Sequence, residues 1–489
     1  MSAAASLLSV SPEVLYNIVI LASDALGPPS EWAALVATCS ALRRALDTPA
    51  MHALLFTNKF LFPADPEHAR NELQRRFEAL NFFRTVRPRP LGDDTAFLDA
   101  LWVAYIMLKS EEPRQRNVDQ LRWAGLPELL LQHLSQQLRG WPLVNETNAL
   151  VIALLWLLSS EESVAAEPAA IRELVMNRLR PYVLAAFRYP LSDKGWCPYH
   201  SCSSEIAAAS RTSTTTRPAA YSEPQSKASN AVRIPAVPIY AILCYFTRLD
   251  TLSPMFPVHL SASSPRKRGP RREDVEHFIN ECRTPFEPWN SNSSPPLYRS
   301  LGPNVQYFPG ALTGRWKGSS ITPSINDYAH WKDTDAVPES MDVFCRQPLY
   351  LTLQEHFCYD VAVRQDEDAP CLPLAGTWVE REDGITVDSW GPRDFERHRG
   401  VAPQREIFDV FVTGKTDDPY ASAWGDFRIV GRVRLSDGLV VLSRESVAGL
   451  GTTVFRGYMT SPQNFCGRYR AVGGALHADW EAAFSLCKM

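Results

Sequence analysis

The sequence has little of what membrane-spanning and secreted proteins need. Its longest apolar run, residues 149–158, is about half as long as a membrane span, so we expect a buried helix there. Ten cysteines spread over 489 residues do not resemble a disulfide framework. The N-terminal twenty residues lack the basic start of a signal peptide. These absences predict a protein of a reducing compartment, cytoplasmic or nuclear, without a membrane partner.

Charge and catalytic motifs are also scarce. The formal net charge is only -4, which argues against a general nucleic-acid binder. No Gly-rich phosphate loop, His-Glu-x-x-His or Gly-x-Ser-x-Gly is present. The paired acids at 380–382 and 417–418 are of the kind usually found in surface turns. We therefore expect a protein that is not an enzyme and needs no cofactor; a catalytic cavity is an alternative that no motif supports.

Two short motifs have weak functional interpretations. Cys197, His200 and Cys202 supply three soft ligands within six residues, whereas a structural zinc site normally needs four. Cys244 is a conceivable fourth ligand, but the default prediction is a loop without metal. The basic run 266–268, followed by Arg271 and Arg272, could be a nuclear localisation signal or a phosphate patch. A solvated loop is the preferred interpretation.

Hydrophobic residues make up 45% of the chain, which is enough to build folded cores. The length of 489 residues predicts two to four domains. The first part repeats apolar residues at helical spacing, beginning at Ser11-Pro12-Glu13, where a capping residue, a proline and an acid favour a helix start. The middle is polar except for an apolar island at 239–246, a candidate short helix. The predicted divisions are a helical module at 1–62, a helical domain at 63–190, a partly disordered polar insert at 191–300 and a β-domain at 301–489.

The β-domain is predicted from a change of period. In residues 427–435, apolar side chains alternate with arginines, a turn signal follows at 436–438, and apolar residues resume at 439. Similar alternation marks 349–357, 407–413 and 454–458. Several short strands with turns between them predict an antiparallel sandwich or barrel.

The N-terminal stretch resembles an F-box. Residues 10–19, VSPEVLYNIV, follow the F-box spelling Leu-Pro-x-Glu-Val/Ile-Leu-x-x-Ile, with Val10 and Ser11 in place of Leu and Pro. Residues 32–44 resemble the second F-box helix, in which Cys39 and Arg43 match while Thr38 and Leu42 replace Val and Trp. The simpler alternative is that these are the first helices of an ordinary helical domain.

The resemblance implies a partner. An F-box docks its apolar surface on the Skp adaptor of a cullin-based, SCF-type ubiquitin ligase, and an amphipathic helix pair with spare apolar residues suits that role. The residues that the resemblance assigns to the adaptor contact are Pro12, Glu13, Val14, Leu15, Ile18, Leu35, Cys39 and Leu42.

The C-terminal half repeats a glycine two residues before a large aromatic residue. Together with the stretches 424–445, 454–458 and 466–470, this pattern resembles the lipocalin-like β-domain that follows the helical part in F-box-domain proteins common in fungi. The resemblance implies that the glycine lets the chain turn at a barrel end, that Trp316 plugs that end, and that Arg468 or Arg470 stacks on it. These residues are expected to build the barrel rather than to touch a ligand: Gly314, Trp316, Gly376, Trp378, Gly467 and Tyr469.

The expected fold is therefore α+β, with an all-helical F-box and helical domain followed by an antiparallel, lipocalin-like β-barrel. The expected function is substrate recognition in an SCF-type ligase, with the Skp adaptor bound by the N-terminal helices and an unknown protein target bound by the β-domain. Two alternatives stay open, a calycin-like protein that binds a small ligand and an interaction scaffold without a ligase role. A roomy apolar cavity or a filled barrel core would discriminate between ligand binding and the other two.

Overall fold

The structure is a computed structural model of the chain. It describes residues 10–60, 66–85, 95–109, 114–136, 140–191, 216–217, 232–233, 237–249, 274, 276, 307, 309–334, 336–338, 341–360, 378–388, 393–400, 405–435, 438–449, 451–461, 463–472 and 481–489.

The chain divides into two compact units, Met1–Gln136 and Gln137–Met489. The boundary falls inside the range predicted for the helical domain, so the later helices of that range group with the β-domain. The described helices of the first unit are α1 (Pro12–Ala22), α2 (Ser30–Thr38), α3 (Ser40–Leu46), α4 (Pro49–Phe60), α5 (Pro66–Thr85), α6 (Thr95–Lys109), α7 (Arg114–Trp123) and α8 (Leu126–Ser135).

Helix α1 begins where the sequence predicts. Pro12 occupies the first turn, where its missing N–H costs no hydrogen bond. Hydrogen bonds from the Glu13 backbone N–H and from Ser11 lower the pKa of the Glu13 carboxyl. Leu15 and Val19, one helical turn apart, are the buried residues of the helix and anchor it to the unit.

The second unit begins with four described helices, of which the last is entirely buried. They are α9 (Glu146–Leu157), α10 (Glu161–Ala165), α11 (Ala169–Leu184) and, after the polar stretch, α12 (Val237–Phe246). Every residue of α12 is buried, because the helix packs against α9, α11 and two strands of the sheet, β12 and β13, defined below. The apolar island of the polar insert is thus a central helix of this unit.

An eleven-stranded antiparallel sheet forms the rest of the unit. Eight strands lie in chain order around a closed ring, since the first and second of them also pair with each other. Eight strands in up-and-down order are the arrangement of lipocalin-type barrels. The ring strands are β3 (Gly314–Pro323), β4 (Val343–Cys358), β8 (Asp409–Thr416), β9 (Phe427–Val433), β10 (Leu439–Ser446), β11 (Thr452–Ser461), β12 (Asn464–Val472) and β13 (Ala482–Lys488).

The predicted hairpin is present within this ring. Strands β9 and β10 pair antiparallel, with Val433 opposite Val440 at the turn and Phe427 opposite Ser446 at the far end. Alternate residues of each strand enter the barrel core, among them Ile429, Val440 and Leu442. The predicted α+β fold is confirmed. The change of period predicted a sandwich or a barrel, the lipocalin-like resemblance implied a barrel, and the structure has the barrel.

Three further strands lie between β4 and β8 in the chain. They are β5 (Trp378–Glu380), β6 (Gly384–Val387) and β7 (Arg393–Arg397), and β7 pairs with the end of β4. We call these three strands the flap. They cover the outer face of the barrel with a second small core that includes Ile385, Phe395, Phe411 and Val430.

The remaining described elements are small. A two-residue ribbon joins β1 (Thr216–Arg217) to β2 (Val232–Arg233). Helices α13 (Ile325–Lys332) and α14 (Asp418–Trp424) lie within the β-domain. In the described part of the chain, none of the helices combines the length and apolarity that crossing a membrane requires.

Candidate functional site

The N-terminal unit has an apolar stripe that its own core does not use. Val14, Ile18 and Leu21 are 48%, 39% and 79% exposed, although all three are large aliphatic residues. Their spacing of four and three residues places them along one face of α1, away from Leu15 and Val19. We call these three residues the α1 stripe; a contiguous apolar face of this kind is typical of a protein-binding surface.

The neighbouring helices also leave apolar residues at the surface. No residue of α2 is buried, and Leu35 and Val36 are only half-buried. Leu54 of α4 is 44% exposed. In this unit, spare apolar surface is therefore present on α1, α2 and α4.

The predicted adaptor contacts divide into two groups. Leu15 and Leu42 are 3% and 5% exposed, so these two residues build the core of the unit and are not accessible to a partner. The exposed or half-buried members are Pro12, Glu13, Val14, Ile18, Leu35 and Cys39. Sequence reasoning missed Leu21, although its position three residues after Ile18 on the same face could have revealed it.

Polar contacts fix the loop that follows α1. The Nζ atom of Lys59, a residue 1% exposed, donates a hydrogen bond of 2.5 Å to Ala25 O. Burial lowers the pKa of this lysine to about 8. Gln120 accepts from Gly27 N at 2.7 Å and donates to Lys59 O at 3.3 Å. The end of α1 is thereby held in place, which presents the stripe in a fixed orientation.

In the β-domain, Trp316 lies inside the barrel as the resemblance implies. It is 0% exposed, its Nε1 donates to Leu312 O at 2.8 Å, and its ring meets Phe465 edge-on at 6.3 Å. Gly314 opens the strand with a φ of 137°, a conformation that favours glycine. The first Gly-x-Trp element is thus a turn into the barrel followed by a core residue.

The predicted arginine partner of Trp316 is corrected by the structure. The Nζ atom of Lys488 lies 5.7 Å from the centroid of the Trp316 ring and donates to Ala311 O at 2.8 Å. Arg468 lies on the outer face of β12, where its guanidinium donates to the carbonyl oxygens of Tyr182 and Tyr189. Alternation along a strand sends Arg468 and Arg470 away from the interior that holds Tyr469.

The other two glycine–aromatic elements occupy different places. Gly376 lies outside the described residues. Trp378 opens β5 in the flap, where it packs on Phe411 and where the Arg428 guanidinium lies 4.3 Å from its ring centroid. Gly467 lies in the middle of β12 opposite Gly457, and Tyr469 of the same strand enters the barrel core. The repeated Gly-x-aromatic motif therefore occurs in three different structural environments: the start of β3, the flap and the middle of β12.

One end of the barrel is closed by the chain before β3. The carboxylate of Glu355, which is 0% exposed, accepts hydrogen bonds from Gly310 N at 2.9 Å and Thr313 N at 2.8 Å. It also accepts from Tyr307 OH and, at 3.0 Å, from Thr313 Oγ1. Burial raises the pKa of Glu355 to about 7, although these hydrogen bonds act in the opposite direction. A single buried carboxyl group thus fastens the segment that closes this end.

Large side chains fill the barrel interior. The Phe484 ring lies 5.1 Å from both the Phe455 and the Phe465 ring centroids. Trp316, Phe357 and many aliphatic residues from the other strands belong to the same core. The interior around Trp316, Phe357 and Phe484 is therefore occupied by packed side chains.

Comparison with protein-family models, curated proteins and solved structures finds no match for this chain. The predicted roles therefore depend on the geometry described above. Among the described residues there is no group of three or more His, Cys, Asp or Glu side chains arranged to hold a metal. Cys197, His200, Cys202 and the basic run 266–268 lie outside the described residues.

Proposed function

We propose that this protein is the substrate-recognition subunit of an SCF-type ubiquitin ligase. The α1 stripe is the observation that supports this proposal most directly. It lies on the helix whose sequence resembles the first F-box helix, and it exposes the apolar residues that an adaptor groove would cover. Fully burying an exposed aliphatic side chain contributes about 1.5–3 kcal/mol, and Val14 and Ile18, already partly covered, contribute less than Leu21. Three such residues provide a substantial part of a specific interface.

The mechanism is positional. The N-terminal unit binds the Skp adaptor, the β-domain binds a protein target, and the ligase gains from the raised local concentration of the target lysines. The chain itself performs no chemical step in this scheme. The complex acts in the cytoplasm or the nucleus, where the cullin-based machinery operates.

The two alternatives make different demands on the barrel. A calycin-like protein that binds a small ligand needs a cavity in the barrel, whereas the observed interior is occupied by residues such as Trp316, Phe455 and Phe484. This filled interior favours a role in protein binding. An interaction scaffold without a ligase link could also use the α1 stripe to bind a protein, and co-purification with the Skp adaptor separates it from the ligase subunit.

Co-purification with the Skp adaptor tests the proposal. We expect the wild-type protein to retain the adaptor and the Ile18→Asp and Leu21→Asp variants to lose it, because a carboxylate in an apolar contact is costly. Leu143→Asp is the matched control, since Leu143 is 68% exposed and lies in the other compact unit. Unchanged circular dichroism and melting temperature would show that the variants are folded. A wild-type protein that does not bind the adaptor would refute the ligase role.

A further inference from the structure

In the second unit, the guanidinium groups of Arg248, Arg432 and Arg456 are buried, and each binds a carboxylate. Arg432 binds both carboxylate oxygens of Asp409 at 2.8 and 2.7 Å. Arg456 pairs with Glu481, and Arg248 binds both carboxylate oxygens of Glu167 at 2.9 Å. Pairing of this kind is what burial of a charge requires, because an unpaired buried charge is strongly disfavoured.

Arg444, which is half-buried, is different. It lies on the same face of β10 as Leu442, which belongs to the barrel core, so its side chain is directed into the barrel. Within the part of the chain that the structure describes, no carboxylate forms an ion pair with it, and its buried Nε atom has no hydrogen-bond partner. Arg468 shares both features, but its guanidinium donates to the carbonyl oxygens of Tyr182 and Tyr189. Burial lowers the pKa of Arg444 to about 10, so the group is still charged at neutral pH.

The groups around Arg444 are suited to binding a ligand. Its guanidinium carbon lies 3.5 Å from the Phe427 ring centroid and 6.0 Å from that of Phe455. The Tyr469 ring stacks on Phe455 at 4.7 Å, and its hydroxyl lies 3.3 Å from Ser320 Oγ. We call Ser320, Phe427, Arg444, Phe455 and Tyr469 the mouth cluster. It combines a cation with two hydroxyl groups and flat aromatic walls.

The mouth cluster lies away from the closed end of the barrel. Ser320 lies four residues beyond Trp316 along β3, on the side away from the 309–313 segment. These four residues span roughly 13 Å along the strand. Phe427 is the first residue of β9 and pairs with Ser446, the last residue of β10.

Arg444 is only half-buried, so solvent reaches part of its side chain. Because Phe455 and Tyr469 beside it are buried, a group that contacts Arg444 must be short.

We propose that the mouth cluster binds a carboxylate of the target protein, from an acidic side chain or a chain terminus, flanked by apolar residues that contact Phe427. This proposal rests on the proposed function and specifies the chemistry of its target. A carboxylate would supply the counter-charge that no described residue gives Arg444, accepting hydrogen bonds from two guanidinium nitrogens and from the Tyr469 hydroxyl. The Phe427 ring would hold the guanidinium in place before the target arrives.

Matched peptides test the proposal on the full-length protein. We would measure binding of fluorescent, end-capped hexapeptides of Ala, Leu and Phe in which one central residue is Glu, Gln or phosphoserine. A fourth peptide, containing Gln and a free C-terminus, separates a terminal carboxylate from a side-chain carboxylate. We expect one of the carboxylate peptides to bind the wild-type protein about tenfold more tightly than the capped Gln peptide. Arg444→Gln should abolish this difference, and Arg381→Gln, at a 61% exposed arginine of the flap, should preserve it.

Three patterns of peptide binding would refute the proposal. Equal binding of the capped Gln peptide and both carboxylate peptides, no binding of any, or binding of only the phosphoserine peptide would each refute a carboxylate site. The Arg444→Met variant should melt at the wild-type temperature or above, because it removes a charge that lacks a counter-charge. A large fall in melting temperature would instead assign Arg444 a structural role. Arg444→Gln should leave adaptor co-purification unchanged, and Ile18→Asp should leave peptide binding unchanged, so the two proposals fail separately.

Discussion

Arg456 and Arg468 lie directly opposite each other on β11 and β12, and both are buried, at 1% and 0% exposure. Like charges in this position are unfavourable unless each has its own partner. Arg456 pairs with Glu481, whereas Arg468 donates to the carbonyl oxygens of Tyr182 and Tyr189. Tyr182 lies in the last turn of α11, so Arg468 binds the negative end of that helix and joins it to the barrel.

The first prediction concerns this joint. Replacing Arg468 with Ala leaves two buried carbonyl oxygens without donors, and we expect the second unit to lose about 3 kcal/mol of unfolding free energy. Amide hydrogen exchange should accelerate first in the last turn of α11. Arg381→Ala, at an exposed arginine, should cost less than about 0.5 kcal/mol. Equal stability of the two variants would contradict the assigned role.

The second prediction separates core from surface on α1. Leu15 is 3% exposed and Leu21 is 79% exposed. Leu15→Ala should destabilise the first unit by about 2–5 kcal/mol through the cavity it creates, whereas Leu21→Ala should change stability by less than about 0.5 kcal/mol. Urea denaturation followed by circular dichroism measures both. A large loss from Leu21→Ala would mean that the stripe packs within the protein and is unavailable to a partner.

The third prediction concerns pH. The pKa of Glu355 is raised by burial from 4.5 to about 7, so the folded state holds a proton that the unfolded state releases. The contribution of this group is therefore fully present below about pH 4.5 and is lost as pH rises through about 7. The shift corresponds to about 3 kcal/mol.

Glu355→Gln should remove this dependence. Unfolding free energies of the wild type and the variant, measured from pH 4.5 to pH 8, isolate Glu355 because all other titrating groups are common to both proteins. The advantage of the wild type over the variant should shrink as pH rises. A constant difference across this range would show that Glu355 titrates normally in the folded protein.

The fourth prediction concerns Gly467. A Cβ atom at this position would collide with the carbonyl oxygen of Arg456 on the facing strand, and the partner residue is itself a glycine, Gly457. Gly467→Ala should therefore cost more than about 3 kcal/mol, because backbone must move. Gly449 has a φ of 76° and open space around it, so Gly449→Ala should cost only about 1–2 kcal/mol. Similar melting temperatures for the two variants would show that the strands can separate locally.

Much of the fold could be predicted from local signals. Pro12 indicated the start of α1, although the Ser11 side chain makes no capping hydrogen bond. The alternation from Phe427 onward indicated β9 and β10, because strand period acts between neighbouring residues. The position of α12 could not be predicted. Its residues are apolar on every side, which indicates burial but does not identify α9, α11, β12 and β13 as the surfaces that cover it.

The candidate sites were less predictable, because a residue type does not say which way a side chain points. Leu15 and Ile18 have the same character, and only packing makes one core and the other surface. Arg468 or Arg470 was expected to stack on Trp316, but both lie on the outer face of β12, where Arg468 binds α11. Arg444 carried no sequence signal, since its significance lies in the absence of a carboxylate among its described neighbours.

The sequence alone determined the order of the elements in this protein: helices first, a polar interruption next, then alternating antiparallel strands. That information is local, because period, caps and turns depend on residues close together in the chain. The closure of those strands into an eight-stranded barrel was decided by the tertiary structure. Tertiary structure also decided which of two chemically similar residues is exposed, which charge has a partner, and that α12 joins the barrel unit. Those outcomes depend on contacts between residues far apart in the chain, such as Arg468 with Tyr182 and Glu355 with Tyr307.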